Sequence, residues 1–500
     1  PAFVLTDNLS IFVWIVLLRL MVCIAMRKRK ESEDKVTTNG KDTMRLTSRH
    51  KFNSYILWKL FKFSFCFLVT NIALFFALVT FHNVSPWQLS RHQTNIIDSF
   101  SLALGLQENA YAVVIDAGST GSRVLAFTFN RILADGTLKL HGELFREVKP
   151  GVSHYADYPE KAAESVAELV KHAQDHIPET HWKTTPIVLK ATAGLRLLPE
   201  TKANGILSEL RGLFSKVPFL SSHQSVDIMD GTQEGLFSWF TVNFLLDKLN
   251  GEPGDSVVAL DLGGGSTQIT FVPASASSHT APKNFMLSIT AFGKNLNIYT
   301  HSYLGLGLMA ARHDILKYNN TQHSVDLRSP CVNPIVNTRW SYGGATYNVR
   351  GPLNPQYVNV KGTAGRIAED RPIVSYPICY GIIREIVQNK VHQPQELNTR
   401  QIVAFSYYFD RATENGLIDP FEGGVVTVQK ILQTAREVCS IPNVDQPFAC
   451  LDMTYIGALL HDGYGLEPDV EIHLYKKIEG HETSWAMGAA FHVMDIGVPH

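Results

Sequence analysis

Two similar segments carry the residues whose types and spacing point most clearly to chemistry. The first reads VVIDAGSTGSRVLAF from Val113 and the second reads VALDLGGGSTQITF from Val258, with Asp116 and Asp261 in register. Each combines an apolar run, an Asp, a turn of Gly, Ser and Thr, and a second apolar run, which predicts a strand, a tight loop and a returning strand. One copy could be an ordinary glycine-rich hairpin, but two matching copies favour two related lobes that face one polyphosphate.

The predicted loops are suited to holding phosphate through the backbone. Glycines let N–H groups converge on an anion where a Cβ would block its approach, and an Asp beside them can hold a hydrated divalent cation. The sequence contains no GxxxxGK[ST] loop and no HRD or DFG motif, which argues against Walker-type NTPases and protein kinases. We therefore expect phosphate contacts from amides and hydroxyls of Gly118, Ser119, Thr120, Gly121, Ser122, Gly263, Gly264, Gly265, Ser266 and Thr267.

Two arginines and one glutamate are further candidates for the site. Arg123 and Arg196 could add cationic contacts to phosphate, or could be surface or interface arginines. In SVDIMDGTQEGLFSWF, Gly231 predicts a turn and Thr232 a cap, which places Glu234 in the first turn of a helix. An acid there suits the helix dipole, but it could also deprotonate the water that attacks a terminal phosphate. The spacing leaves both interpretations open.

The rest of the chain indicates the scaffold that positions these residues. With 500 residues and 45% hydrophobic content, the chain can form two or three domains, and its net charge of −1 argues against a nucleic-acid binder. Strand and helix patterns alternate after Tyr111, which is typical of an α/β lobe. Asp157 and Glu160 predict a capping box at the first long helix. The stretch 329–376, rich in Pro, Gly, Asn and Val, predicts a loop-rich insertion.

The N-terminal part predicts a membrane anchor. The 19 residues 63–81 carry no charge, and they follow a segment, 27–62, with eleven Lys or Arg against four acids. Such a run spans a bilayer with its basic flank in the cytoplasm, which places the rest of the chain in the lumen or outside the cell. The shorter stretch 11–26 could be a first span, a signal-like segment or a wrongly assigned start, and 63–81 could instead be a cleavable signal peptide.

The cysteines are consistent with this compartment. Cys23 and Cys66 fall in the apolar segments, and the other four predict two disulfides with three possible connectivities: Cys331, Cys379, Cys439 and Cys450. The absence of CxxC spacing argues against a zinc site. Asn319 and Asn83 lie in glycosylation sequons, which predicts a glycoprotein.

Five motifs occur together in an informative order. They are DAGSTGSR from Asp116, KATAGLRLL from Lys190, IMDGTQEG from Ile228, LDLGGGSTQ from Leu260 and SWAMGAAF from Ser484. Together they resemble the five conserved regions of the ectonucleoside triphosphate diphosphohydrolase (apyrase) family, from about Tyr111 to the end of the chain. The resemblance implies an α/β fold of two actin-like (RNase H-type) lobes with the active site in the cleft between them. It also implies hydrolysis of nucleoside di- or triphosphates with Ca²⁺ or Mg²⁺.

The resemblance also assigns roles to residues. Glu234 matches the family's catalytic base, Thr192 lies near the nucleophilic water, and Asp116 and Asp261 match carboxylates that hold the metal through water. In AFSYYFD from Ala404, Tyr408 is the candidate for contact with the nucleobase, although it could be a core residue. The remaining implied nucleotide contacts are Gln268, within LDLGGGSTQ, and Trp485, for which a core position is equally open. The family pattern favours the disulfides Cys331–Cys379 and Cys439–Cys450.

Within that family the chain looks most like the intracellular and secreted nucleoside diphosphatases, because no C-terminal membrane helix follows the fifth motif. We therefore expect preference for UDP and GDP, and a Golgi or endoplasmic reticulum membrane location with a lumenal catalytic part, or secretion after cleavage. One N-terminal helix, or two, would contact the membrane. The expected organisation is an N-terminal region 1–62, an anchor 63–81, a stalk 82–109, lobe I from 110–238 and 480–500, and lobe II from 239–479.

The sequence leaves several alternatives open. They are a broad apyrase acting on triphosphates, an exopolyphosphatase or sugar kinase with similar loops, and a catalytically silent nucleotide-binding ectodomain. Loss of Glu234 or of either aspartate would favour the silent ectodomain, but all three residues are present.

Overall fold

The computed structural model describes residues 107–132, 138–249, 251–273, 282–291, 294–321, 324–360, 369–388 and 390–496. The predicted basic region and anchor, the stretch 11–26 and the Asn83 sequon all lie outside the described residues. Within these described ranges, no helix combines the length and the apolar character needed to cross a membrane.

Strands and helices are mixed along the described part, which is an α/β structure. The strands are β1 (Gln107–Ala117), β2 (Ser122–Ile132), β3 (Leu138–Val148), β4 (Ile187–Ala191), β5 (Val226–Ile228), β6 (Val258–Leu262), β7 (Ser266–Phe271), β8 (Met286–Ala291), β9 (Lys294–Leu304), β10 (Asp326–Arg328), β11 (Asn337–Tyr342), β12 (Ala345–Arg350), β13 (Gln356–Val360), β14 (Glu369–Ile373), β15 (Ile402–Ser406), β16 (Gly424–Thr427), β17 (Glu471–Leu474), β18 (Lys477–Ile478) and β19 (His481–Glu482). The α-helices are α1 (Pro159–His176), α2 (Ala193–Arg196), α3 (Glu200–Phe214), α4 (Gly231–Leu245), α5 (Leu308–Lys317), α6 (Tyr376–Val387), α7 (Tyr407–Glu414), α8 (Val428–Cys439), α9 (Ala449–Ala458) and α10 (Trp485–Ile496).

The N-terminal sheet has the strand order β3-β2-β1-β4-β5. Its first three strands are antiparallel, whereas β1, β4 and β5 run parallel. Val113 and Ile115 of β1 pack with α1 and α3 on one face, while Ala112 and Val114 face a second core on the other. Burial on both faces explains why β1 reads as a nearly continuous apolar run.

The C-terminal sheet repeats this arrangement. Its order is β16-β17-β15-β6-β7-β9-β8, in which β9, β7, β6, β15 and β17 have the same relative directions as β3, β2, β1, β4 and β5. Asp116 pairs with Arg123 on the returning strand, and Asp261 pairs with Gln268 at the corresponding place. The sequence repeat is therefore also a repeat of structure.

Helices α4 and α10 lie between the two sheets. Their core contains Val114 of the N-terminal sheet, Val403 of the C-terminal sheet and Trp239 of α4. At Gly235, a Cβ would lie 2.6 Å from Thr270 Oγ1, so glycine lets α4 pack directly on the C-terminal sheet. The expected lobe boundary at 238/239 falls within this helix.

The insertion contains two small sheets and is held by disulfides. Strands β10, β12 and β11 form one sheet, and β13 pairs with β14, so the stretch 329–376 holds short strands as well as loops. Cys331 is bonded to Cys379 at the start of α6, and Cys439 of α8 is bonded to Cys450 of α9. Both predicted bridges are confirmed.

Three local predictions differ from the structure. Helix α1 has Tyr158 as its N-cap with no side-chain cap bond, because Asp157 instead forms an ion pair with Lys202 at 2.9 Å. Helix α4 is capped by Asp230, which accepts hydrogen bonds from the amides of Thr232 and Gln233. Strand β1 begins three residues before the expected lobe boundary, because its polar start pairs with the end of β2.

Candidate active site

A polar cavity of about 650 Å³ collects most of the predicted site residues. It lies where the loops after β1 and β6 meet the ends of β4 and β15. The predicted residues that line it are Asp116, Gly118, Ser119, Thr120, Arg123, Thr192, Glu234, Asp261, Gly263, Gly264, Gly265, Ser266 and Trp485. The two repeated segments therefore face one cavity.

The two glycine-containing loops touch each other at this cavity. A Cβ on Gly264 would lie 2.3 Å from Ser119 Oγ and 2.9 Å from Thr120 Cγ2. A side chain at Gly264 would therefore force the side chains of Ser119 and Thr120 to shift. The carbonyl oxygens of Gly263 and Gly264 accept hydrogen bonds from the first turn of α5, which fixes the second loop.

Asp116 and Asp261 occupy matching places at the ends of β1 and β6, and their residues are only 8% and 6% exposed. Arg123 donates to Asp116 Oδ2 at 3.1 Å, whereas Asp116 Oδ1 is buried and has no hydrogen-bond partner among the described residues. Asp261 accepts hydrogen bonds from Ser238, at 3.3 Å, and from Ser406. Burial raises the pKa of Asp116, and it raises the pKa of Asp261 to about 6.

These carboxylates fit a hard divalent cation. Two buried acids with a partnerless oxygen offer the ligand chemistry that Ca²⁺ and Mg²⁺ prefer. Within the described ranges, no group of three or more His, Cys, Asp or Glu is arranged to hold a metal ion directly.

Glu234 lies in the first turn of α4, as predicted, and is 6% exposed. Burial raises the pKa of Glu234 to about 8, the charge of Arg196 opposes this rise, and Asp261 and Asp116 add to it. Arg196 donates a hydrogen bond to Glu234 Oε2 and lies 3.4 Å from Ser266 Oγ. The carboxylate is thus held in place and is basic enough to accept a proton.

The other predicted residue beside the proposed water is Thr192. It follows β4, its amide donates to Ala117 O at 3.3 Å, and its residue is 6% exposed. This bond ties the end of β4 to the start of the first loop. Thr192 and Glu234 therefore approach the same cavity from two different elements.

The two predicted arginines have different positions. Arg123 lines the cavity and pairs with both Asp116 and Glu147, the latter at 2.8 Å. Arg196 does not line the cavity. Its guanidinium instead forms an ion pair with the carboxylate of Glu234.

Five predicted residues support the cavity without lining it: Gly121, Ser122, Thr267, Gln268 and Tyr408. Thr267 donates to the carbonyl of Asp261 at 2.8 Å, and Gln268 donates to Ser266 Oγ at 2.8 Å. Tyr408 is 2% exposed within the core of the C-terminal sheet. Its neighbours Tyr407 and Phe409 line the cavity instead.

Helix α7 explains this difference and adds residues that the sequence analysis missed. Tyr407, Asp410, Arg411 and Glu414 line the cavity at helical spacing, so assigning a helix to YYFDRATE would have favoured Tyr407 over Tyr408. Lys149 also lines the cavity, at the end of β3, where its ammonium pairs with Glu147 at 3.3 Å.

A buried charge cluster supports this side of the cavity. Arg312 Nε donates to Asp452 Oδ1 at 3.0 Å, and Arg411 donates to Asp452 Oδ2 at 3.3 Å. Asp452 is fully buried on α9, and Arg312 also lies over the rings of Trp340 and Phe448. No local sequence pattern links these distant positions.

The chain is similar to several known proteins. Over 400 residues the chain is 42% identical to ectonucleoside triphosphate diphosphohydrolase 5 of Ailuropoda melanoleuca, an alignment covering 78% of this chain and 89% of that protein. It is 42% identical over 397 residues to the human nucleoside diphosphate phosphatase ENTPD5, covering 78% and 89%. It is also 40% identical over 392 residues to ectonucleoside triphosphate diphosphohydrolase 6 of Rattus norvegicus, covering 77% and 82%.

A solved structure shares the fold. A crystal structure of nucleoside triphosphate hydrolases from Neospora caninum covers 81% of this chain and 96% of its own, with a TM-score of 0.51 and 15% identity. The profile of the GDA1/CD39 (nucleoside phosphatase) family matches residues 104–497, a range that contains every residue of the cavity described above. The chain therefore belongs to the GDA1/CD39 (nucleoside phosphatase) family.

Proposed function

We propose that this protein hydrolyses nucleoside diphosphates, with UDP and GDP preferred, to the monophosphate and phosphate. The observation that carries this proposal is the meeting of Glu234, Asp116 and Asp261 in one cavity between two glycine-containing loops. The human relative named nucleoside diphosphate phosphatase supports it, because the two chains are 42% identical over 397 residues. The repeated strand order supports a fold of two actin-like (RNase H-type) lobes around the cleft.

In the proposed reaction, Glu234 acts as the general base. Its carboxylate accepts a proton from water while the water oxygen forms a bond to the terminal phosphorus. The bond between that phosphorus and the bridging oxygen breaks, and the bridging oxygen leaves with the nucleoside monophosphate. Arg196 holds the base, and Thr192 is placed to orient the water. Amides and hydroxyls of both loops would stabilise the developing charge on the phosphoryl oxygens.

A divalent cation is part of the proposal. Asp116 and Asp261 would hold Ca²⁺ or Mg²⁺ through water, and the bound ion would offset negative charge on the phosphates. The chain provides groups of both charges for this, because Asp116, Asp261 and Arg123 all line the cavity.

We also propose that the catalytic part lies in the lumen of the Golgi or the endoplasmic reticulum, anchored by one N-terminal helix or two. Two disulfides support an oxidising compartment. The uncharged run 63–81 behind a basic segment supports the anchor.

Phosphate release from the purified full chain tests the proposed activity. UDP, GDP, ADP, UTP and ATP would be compared at equal concentration with Ca²⁺, with Mg²⁺ and with EDTA. We expect the highest kcat/KM for UDP and GDP, and no activity in EDTA. Preference for ATP would contradict the diphosphatase assignment, and full activity in EDTA would contradict the cation assignment.

A further inference from the structure

Ser406 has a backbone conformation that residues with side chains rarely adopt. It ends β15 immediately before α7, with φ 59° and ψ −128°. Four described residues other than glycine have a positive φ, namely Asp247, Asn319, Ser406 and Glu479, and of these Ser406 alone lines the cavity. Such strain persists where the surroundings enforce it and is concentrated at functional sites.

The surroundings of Ser406 do enforce this conformation. Strand β15 lies between β6 and β17, and Ile402, Val403, Ala404 and Phe405 are fully buried. Ser406 is paired with Leu262 at the end of β6, directly beside Asp261. The chain must then turn at once into α7, so the strain is concentrated in this one residue.

The side chain of Ser406 contacts one of the two aspartates of the cavity. Its hydroxyl donates a hydrogen bond to Asp261, whose carboxylate also accepts from Ser238 of α4 at 3.3 Å. Two hydroxyls from different elements therefore fix one carboxylate. Ser238 is fully buried, whereas Ser406 is exposed to the cavity and can also contact its contents.

The internal repeat provides an independent observation. In the N-terminal sheet, the parallel strand beside β1 is β4, and Thr192 stands between β4 and α2. In the C-terminal sheet, the parallel strand beside β6 is β15, and Ser406 stands between β15 and α7. Each half of the repeat thus has a hydroxyl residue at the N-cap of the helix that follows this strand. The pairing register differs by one residue, because Ser406 pairs with the residue after Asp261, whereas Ala191 pairs with the residue after Asp116.

We propose that Ser406, at a helix N-cap as Thr192 is in the other half of the repeat, is a positioning residue that orients Asp261 toward a divalent cation. This inference rests on the proposed function of the cavity. The alternative is that Ser406 is only a turn residue, in which case its hydroxyl would be dispensable and glycine would be the better residue there.

Two substitutions separate these possibilities. Ser406→Ala removes the hydroxyl and keeps the strain, whereas Ser406→Gly removes both. We expect each variant to lose about tenfold in kcat for UDP, as for a hydrogen bond to a charged group, with KM changed less than about twofold. Ser406→Gly should melt at a higher temperature than Ser406→Ala because glycine relieves the strain.

A readout independent of turnover is Mn²⁺ binding to the nucleotide-free full chain, measured by electron paramagnetic resonance. We expect weaker binding in both variants, by about the factor lost in kcat. Asn319→Gly is the matched control, because Asn319 also has a positive φ but is exposed after α5, so kcat and Mn²⁺ affinity should be unchanged.

The outcomes are distinct. Wild-type kcat and wild-type Mn²⁺ affinity in both Ser406 variants would overturn the inference while leaving the proposed function intact. Conversely, a wild-type chain that releases no phosphate from any nucleotide would defeat the proposed function. Weaker Mn²⁺ binding in the Ser406 variants would still support a positioning role in that case.

Discussion

The guanidinium of Arg196 donates a hydrogen bond to the carboxylate of Glu234, and both side chains are nearly buried. The pair joins the motif after β4 to the first turn of α4. Because burial and the neighbouring aspartates raise the pKa of Glu234, the charge of Arg196 is the main influence that lowers it. The charge of Arg196 therefore affects the pH above which the Glu234 carboxylate is deprotonated and can accept a proton.

Removal of this arginine should move the pH profile. In Arg196→Gln the pKa of Glu234 rises further, so the base is protonated over a wider range and the ascending limb of kcat/KM moves to higher pH. We expect the loss at pH 7 to be partly recovered near pH 9, and Arg196→Lys to retain most of the wild-type profile. Profiles of kcat/KM for UDP test this, and an equal loss at every pH would assign Arg196 a purely structural role.

Cation affinity should depend on pH through Asp261. Since its pKa is raised to about 6 in the free protein, Asp261 is protonated below that pH and must release a proton when a cation binds. We expect Mg²⁺ to bind the wild type more tightly at pH 7.5 than at pH 5.5. The Asp261→Asn variant should bind Mg²⁺ weakly at both pH values. Titration calorimetry in two buffers would detect the proton release, and an affinity independent of pH would contradict this assignment.

The free protein should become less stable as pH rises. Glu234 has a folded pKa of about 8, above that of the unfolded chain, so the folded state binds more protons between the two values. This contribution to the free energy of unfolding is fully present below the unfolded pKa and is lost as pH rises through about 8. Glu234→Gln should remove it, so the variant should melt higher than the wild type at about pH 8.5 in EDTA. Equal melting temperatures of the wild type and Glu234→Gln at that pH would show that burial does not raise the pKa of Glu234.

Two adjacent tyrosines should behave differently. Tyr407→Ala should raise KM for UDP about tenfold by removing an aromatic surface from the cavity, with little change in melting temperature. Tyr408→Ala should lower the melting temperature by opening a cavity in the core, with KM for UDP almost unchanged. Each is the control for the other, and the reverse pattern would return the nucleobase contact to Tyr408.

Residues in local patterns could be predicted from the sequence. The glycine loops, both aspartates and the first-turn position of Glu234 depend on strand, turn and helix signals within a few residues of each other. Predictions were wrong where tertiary contacts decided the outcome. Asp157 pairs with Lys202 rather than capping α1, and the side of α7 that faces the cavity excludes Tyr408.

Other features have no local signal. The cluster of Arg312, Asp452 and Arg411 joins three helices from distant parts of the chain. The strain at Ser406 depends on the burial of β15 between two other strands, which the letters AFSYYFD do not reveal. Sequence repeats indicated that two units face one site, but only the fold shows that Thr192 and Ser406 are both helix N-caps.

Glu234 is the proposed general base for hydrolysis of nucleoside diphosphates. Glu234→Gln keeps the shape of the side chain but cannot accept the water's proton, so we expect kcat for UDP to fall by about 100-fold or more with KM nearly unchanged. Gln233→Ala, at the exposed neighbouring position, is the control and should keep the wild-type rate. The decisive measurement is therefore kcat for UDP hydrolysis by Glu234→Gln with saturating Mg²⁺ or Ca²⁺. A loss of that size is expected of a general base, and a variant retaining more than about half of the wild-type rate would show that Glu234 is not the base.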